Sequence, residues 1–404
     1  MDRPAAPAAE RSRSAFASFI AADMLFGSAE DIIVVAVGWL VFSRTRSTFD
    51  LGMIGLAGFL PLILLSLLTG LVTDRFDRRA VLAICGAGLC AGAVMLCVAS
   101  AGDAIWPIYV IVVLIGSAKA FLGPVSKALV PNLVSAGDLT RGFAMAHSFG
   151  GTARLLAPAL GGLLYAFGPQ VPFAAASVLA ALGVASCIGI GARPPENVTS
   201  GVSWSTLIAG FVFIWSAPVV MAAMGLDLVA VLLGGATALM PYYAQEIFHV
   251  GPWALGLMRT APAVGGLLMS GMLAWWPLQR HAGPTLLAVV VIYGLGTIGF
   301  GLSTTLPIAL ACLLILGAAD AVSMVVRAGL VQTQTPDAMR GRVSAVHSLF
   351  TGASGELGEV ESGLLSSAIG VVPCVVLGGV AAIVAAAAWA ALVPALRRAD
   401  RFEA

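Results

Sequence analysis

Ionisable side chains fall inside stretches of this sequence that are otherwise apolar. Asp23, Glu30 and Asp31 come first, then Lys119, Lys127 and Arg154, then Asp227, Arg259, Asp320 and Arg327, and last Glu356, Glu359 and Glu361. A charge in such surroundings costs roughly 3 kcal/mol on insertion scales unless a cavity or a partner receives it. Carboxyls outnumber bases in this set, so not every acid can own a permanent cation. Burial disfavours a charged carboxylate and a nearby Lys or Arg favours it. An acid that passes between those two surroundings can load and release a proton. Glu30, Asp31, Asp227 and Asp320 are therefore the proton-coupling candidates, with Lys119 and Arg327 as counter-charges. The structural alternative is fixed ion pairing between helices, and it is preferred for Lys127, Arg154 and Arg259. Asp23, near the end of its stretch, reads as solvated.

Glu356 and Glu359 share a helical face, while Glu361 turns partly away. They could bind a substrate or a cation, or meet Arg259 or Arg327 across helices. The only histidines in these stretches, His147 and His347, sit near their ends, where a structural hydrogen bond is preferred to metal ligation. The six cysteines all lie in apolar stretches and read as small buried hydrophobes, with no metal site or cofactor implied. No Ser/His/Asp order, zinc-protease helix or phosphate-binding loop indicates an enzyme or nucleotide-driven transport. The net charge of +1 says nothing about nucleic acid, and no basic run or zinc spacing suggests it as a partner.

The elements that must hold these residues are set by composition. Of 404 residues, 59% are hydrophobic and 10% charged, and the mean hydropathy is +0.99. A soluble domain carries about 25% charged residues, so the outer surface here must face lipid. Apolar runs of about 20 residues cross the hydrocarbon core as helices. Twelve such spans are predicted: 16–42, 50–72, 79–100, 104–130, 140–166, 170–191, 216–242, 252–275, 282–302, 306–332, 342–369 and 371–396. The expected fold is an all-α membrane protein of two pseudo-symmetric six-helix bundles. Residues 1–192 form the first bundle, 193–209 a cytoplasmic linker and 210–404 the second. Trp204 to Trp215 is either a helix on the membrane surface or a plain entry into the seventh span. The polar first fifteen residues run into a long helix without a small-residue cleavage site, which argues against a removed signal peptide.

Basic residues cluster on one side: Arg3, Arg11 and Arg13, then Arg75, Arg78 and Arg79, Arg141, Arg193, Arg280, Arg340, Arg342, and finally Arg397, Arg398 and Arg401. The other side carries Arg44 and Arg46. Cytoplasmic loops hold the Lys/Arg excess, which predicts an inner-membrane protein with both termini cytoplasmic. The halves also repeat at an offset of 200 residues: Lys127-Ala128 matches Arg327-Ala328, and His147-Ser148 matches His347-Ser348. Parallel repeats of this kind place a substrate route at their interface. Apart from Asp50 and Arg79 at their first residues, the second, third, sixth, ninth and twelfth spans hold no charged residue, so the charged helices are expected to surround that route.

The loop after the second span, Gly70-Leu71-Val72-Thr73-Asp74-Arg75-Phe76-Asp77-Arg78-Arg79, resembles the G-x-x-x-D-R-x-G-R-R signature of the major facilitator superfamily, with Asp77 in place of glycine. In the second half Trp275 stands where the acid would be. Leu114 to Gly123 resembles the family's fourth-helix motif, with Lys119 in place of arginine. Ala157-Pro158-Ala159-Leu160-Gly161-Gly162, just after Arg154, resembles the helix-five stretch of drug:proton antiporters. With 332–343, the chain is most similar to the macrolide-efflux and enterobactin-exporter branch. The resemblance implies a cytoplasmic latch at Asp74, Arg75, Arg78 and Arg79. It also implies a secondary transporter, expected to be a monomer that exports a small amphipathic drug or siderophore against inward proton flow. A lipid or lysophospholipid flippase and a non-transporting membrane sensor or scaffold are the alternatives.

Overall fold

The computed structural model describes residues 8–134, 136–191, 204–276, 278 and 280–399. The elements among them are helices. They form two compact units, Met1–Arg44 with Ala57–Gly201, and Thr45–Leu56 with Val202–Ala404. The sequence reading placed all of 1–192 in one bundle, whereas residues 45–56 pack with the second unit.

In the first unit, α1 (Ala8–Thr45) is followed by α2 (Thr48–Arg75, in this unit from Ala57), α3 (Arg78–Ala99), α4 (Trp106–Leu133), α5 (Leu139–Tyr165) and α6 (Val171–Cys187). α1 starts earlier than hydropathy suggested, because a polar first turn can continue a helix beyond the apolar layer. Phe26 of α1 is buried, and its ring occupies the space left by Gly86 of α3 and Gly183 of α6. The α5–α6 turn passes through Gly168 at φ +134°, a conformation that favours glycine.

The second unit contains α7 (Trp204–Ser216), α8 (Pro218–Leu233), the single turn α9 (Met240–Tyr242), α10 (Pro252–Trp275), α11 (Ala282–Gly301), α12 (Leu306–Thr333), α13 (Asp337–Ile369), α14 (Val371–Leu392) and the short α15 (Pro394–Arg397). The linker's last residues, 204–209, are thus helical in α7, and residues 192–203 lie outside the described part. α7 packs on α13, with Gly210 against the Arg342 backbone and Phe211 stacked 6.4 Å from Phe350. The predicted seventh span is broken. α8 ends at Gly234-Gly235, a 3₁₀ turn covers Ala236–Leu239, and a π turn covers Tyr243–Ile247. Gly370, at φ +90°, joins α13 to α14 without a loop.

Among the described residues, ten helical segments are long and apolar enough to cross a membrane. α5 and α13 are as long, but Arg141 and Arg154, and Glu356, Glu359 and Glu361, lower their hydropathy. Adding these two makes the helix pattern consistent with the predicted twelve.

Close helix packing uses small residues rather than polar contacts, as expected where lipid supplies no hydrophobic drive between helices. A Cβ on Gly265 of α10 would come within 2.8 Å of the Leu314 carbonyl carbon of α12. One on Gly317 of α12 would come within 2.5 Å of Pro262 of α10. α11 and α14 approach in the same way at Gly294 and Gly379. Within the second unit, Gly52 of α2 lies against the backbone of Gly363 of α13, and this contact carries residues 45–56 into that unit.

Candidate functional site

In the second unit α8, α11 and α12 converge on a small polar centre. Arg327 of α12 and Asp227 of α8 form an ion pair with both side chains nearly fully buried. Arg327 also donates to the Ser323 hydroxyl, one turn earlier, at 3.4 Å. Beside the pair is a cavity of about 10 Å³ lined by Asp227, Asp320, Tyr293 and Ser323 among apolar neighbours. That is the lower limit for a single water. Asp320 faces this cavity and makes no ion pair within 4.0 Å among the described residues. The centre therefore brings together two carboxyls and one guanidinium. Helical spacing accounts for it: positions 320, 323 and 327 follow one face of α12, and 227, 230 and 231 one face of α8.

In the first unit, Lys119 of α4 pairs with Glu30 of α1 at 2.8 Å, and both side chains are partly exposed. Asp31 is half-buried and engaged in an interaction of its own. The two units thus each join an acid on their first span to a base on their fourth. The repeat register is not kept, since Lys127, the counterpart of Arg327, is exposed and has no ion pair among the described residues. The structural pairing expected of Lys127 is not seen among the described residues. Arg154 is exposed as well, lying against Gly27 of α1, while Asp23 lies against Gly150 of α5. Each charge sits over a glycine of the opposite helix. Arg154 makes no ion pair among the described residues. Gly161 brings α5 close to α1, where a Cβ would stand 3.1 Å from the Ile32 Cα; Gly162 is buried, and Pro158 lies inside the helix.

Glu359 of α13 receives the Thr237 hydroxyl at 3.1 Å and lies 3.9 Å from Arg259 of α10. Arg259 is thus paired as expected, and α13 is tied to α10 and to the broken seventh span. Glu356 has a partner of its own, and Glu361 accepts from Ser362 at 3.3 Å. The His347 Nε2 is buried without a hydrogen-bond partner among the described residues. The His147 side chain lies outside the described part.

Asp74 and Arg75 end α2 and Arg78 and Arg79 begin α3; the Asp74 side chain is not among those described, and Arg75 is exposed. Arg78 is buried and donates to the Ala128 carbonyl at 3.1 Å and to Asn132 Oδ1 at 2.7 Å. It therefore binds α3 to the carbonyl end of α4, where the helix dipole favours a cation. Asp77 accepts from the Arg79 backbone at 2.9 Å and caps α3, with φ −57° requiring no glycine.

Sequence reasoning missed two participants. Tyr293 lies on α11, a span without a charge, and a lone tyrosine in an apolar helix gives no signal. Thr237 was hidden in the break after α8, which only the Gly234-Gly235 pair foreshadows.

Two helical units, with charges gathered on a few of their helices, define a membrane transporter. The chain belongs to the Major Facilitator Superfamily, whose family model matches residues 15–359. It is 26% identical over 362 residues to the multidrug efflux pump Tap of Mycolicibacterium fortuitum, across 85% of this chain and 87% of that protein. It is 27% identical over 331 residues to the enterobactin exporter EntS of Citrobacter koseri, across 78% and 76%. This is the drug and siderophore efflux branch indicated by the motifs. Two solved structures share the fold. The nucleoside transporter NupG superposes with a TM-score of 0.72 at 16% identity, over 94% of this chain and 98% of that one. A POT family transporter in complex with a thioalcohol-conjugated peptide gives 0.75 at 12%, over 94% and 96%. The protein is a multi-pass membrane transporter and not an enzyme.

Proposed function

We propose that this transporter is a proton-coupled exporter of a small amphipathic molecule, of the drug or siderophore type, working by alternating access. It sits in a bacterial inner membrane as a monomer with both termini in the cytoplasm. Residues 1–192 and 210–404 are its functional halves, and the loop of Asp74, Arg75, Arg78 and Arg79 is its cytoplasmic latch. The observation that carries the coupling is Asp320: a carboxyl facing a water-sized cavity beside a cation already engaged by Asp227. Such an acid can change protonation without dismantling the ion pair. Glu30 with Lys119 is the corresponding site of the first half, Asp31 stands beside it, and Glu356 and Glu359 contact the substrate. The names of the efflux relatives support an amphipathic cargo.

The test is transport in proteoliposomes with an imposed pH gradient, using ethidium, a catecholate and lysophosphatidylcholine as separate probes. Ethidium or catecholate movement driven by the gradient, and abolished in Asp320→Asn, is the expected result. Movement of lysophosphatidylcholine alone, indifferent to the gradient, would replace this reading with a lipid transporter.

A further inference from the structure

The cavity beside Asp320 has a wall that the charged helices do not supply. Tyr293 comes from α11, the ninth span, whose sequence holds no ionisable acid or base. Its ring rests against the break in the seventh span: a Cβ on Gly234 would stand 2.9 Å from the Tyr293 Cε1 and 3.3 Å from its hydroxyl. The missing side chain at Gly234 is what admits the phenol to this position. Tyr293 lines the same cavity as Asp227, Asp320 and Ser323. Its hydroxyl makes no hydrogen bond among the described residues, and it lies within electrostatic range of Asp320 and Asp227.

A phenol hydroxyl on a low-dielectric wall is costly without a partner. The groups that can answer it are few. Arg327 engages Asp227 and Ser323 through Nη1, and its Nε has no partner among the described residues, but a guanidinium only donates and cannot accept from the phenol. On neighbouring helices, Arg259 of α10 is near Glu359, and His347 of α13 is within electrostatic range of Arg327. Asp320 is the carboxyl left facing the cavity. The cavity is of a size to let one water bridge phenol and carboxylate, and such a bridge is nearly as good as a direct bond.

We propose that Tyr293 is a positioning residue for the proton site. Its hydroxyl donates to Asp320 through one water in the shared cavity, and so sets the pH at which that carboxyl loads its proton. The inference rests on the coupling role assigned to Asp320 above. A hydroxyl donating to a carboxylate favours the charged form. Removing it therefore lets the protonated form persist to higher pH, by about one pH unit for a hydrogen bond to a charged group.

The experiment needs no transported substrate. Purified full-length protein in lipid nanodiscs is titrated while the carboxylic C=O stretch is followed by infrared difference spectroscopy, comparing wild type, Asp320→Asn and Tyr293→Phe. The expected result is a band lost in Asp320→Asn. In Tyr293→Phe its midpoint moves up by about one pH unit and its frequency shifts, while the thermal midpoint stays near wild type. A band missing from Asp320→Asn but unchanged in Tyr293→Phe overturns the role of Tyr293 and leaves the coupling site standing. A band that survives Asp320→Asn overturns both.

Discussion

Arg327 gives its charge to Asp227 of α8 and not to Asp320, its neighbour two turns away on its own helix α12. The cross-helix pair is nearly fully buried, which makes its two members interdependent. Removing one partner of a buried pair leaves an uncompensated charge and costs about 3–5 kcal/mol, whereas removing both is far milder. Arg327→Leu is therefore expected to lower thermal stability in detergent strongly. The double variant Asp227→Asn with Arg327→Leu is expected to recover most of the loss. Equal loss in the single and double variants would mean that the pair contributes through packing alone.

The Glu30–Lys119 pair of the first unit should behave differently, because both side chains are partly exposed. Pairs of this kind contribute about 0–1 kcal/mol. Lys119→Ala is expected to leave the thermal midpoint nearly unchanged while reducing transport. Calorimetry and proteoliposome flux on the same preparation separate the two effects.

A third expectation concerns the seam between α10 and α12. An added methyl on Gly317 would collide with the backbone of Pro262, which cannot swing aside as a side chain can. Overpacking costs typically 1–3 kcal/mol, so Gly317→Ala should lower the midpoint of unfolding. Gly271 of α10 has open space around its Cβ position, and Gly271→Ala serves as the matched control, neutral or slightly stabilising.

Asp77 offers a fourth. It caps α3 at the position where the signature that this stretch resembles has glycine. Replacing a capping aspartate by alanine costs about 1 kcal/mol, and by glycine only a few tenths. Thermal unfolding should therefore rank wild type, Asp77→Gly and Asp77→Ala in that order.

These residues also mark how far the amino-acid order could be read. The spans were legible because lipid demands long apolar runs, and the charges stood out against them. That contrast singles out Asp227, Asp320 and Arg327 in the sequence alone. Which charge meets which was not legible, because pairing depends on helix rotation and depth, and the repeat misleads: Lys127 matches Arg327 in register but has no ion pair among the described residues. Tyr293 was invisible for a different reason. Its importance comes from the space beside Gly234 on another helix, and no local pattern encodes that. The seventh span read as continuous because hydropathy measures composition, while its break depends on backbone conformation at Gly234-Gly235.

The π turn at Tyr243–Ile247 has a consequence for phase. Tyr243 must face inward, where its hydroxyl donates to the Gly301 carbonyl at 2.9 Å, while Glu246 faces outward to its ion pair with Arg46. In a regular α-helix residues three apart lie on one side, and both could not be served. A wider turn rotates less per residue, so the two side chains diverge. One additional residue in the coil thus lets a short stretch face the interior and the aqueous rim at once, and shortening it by one would force a choice between them.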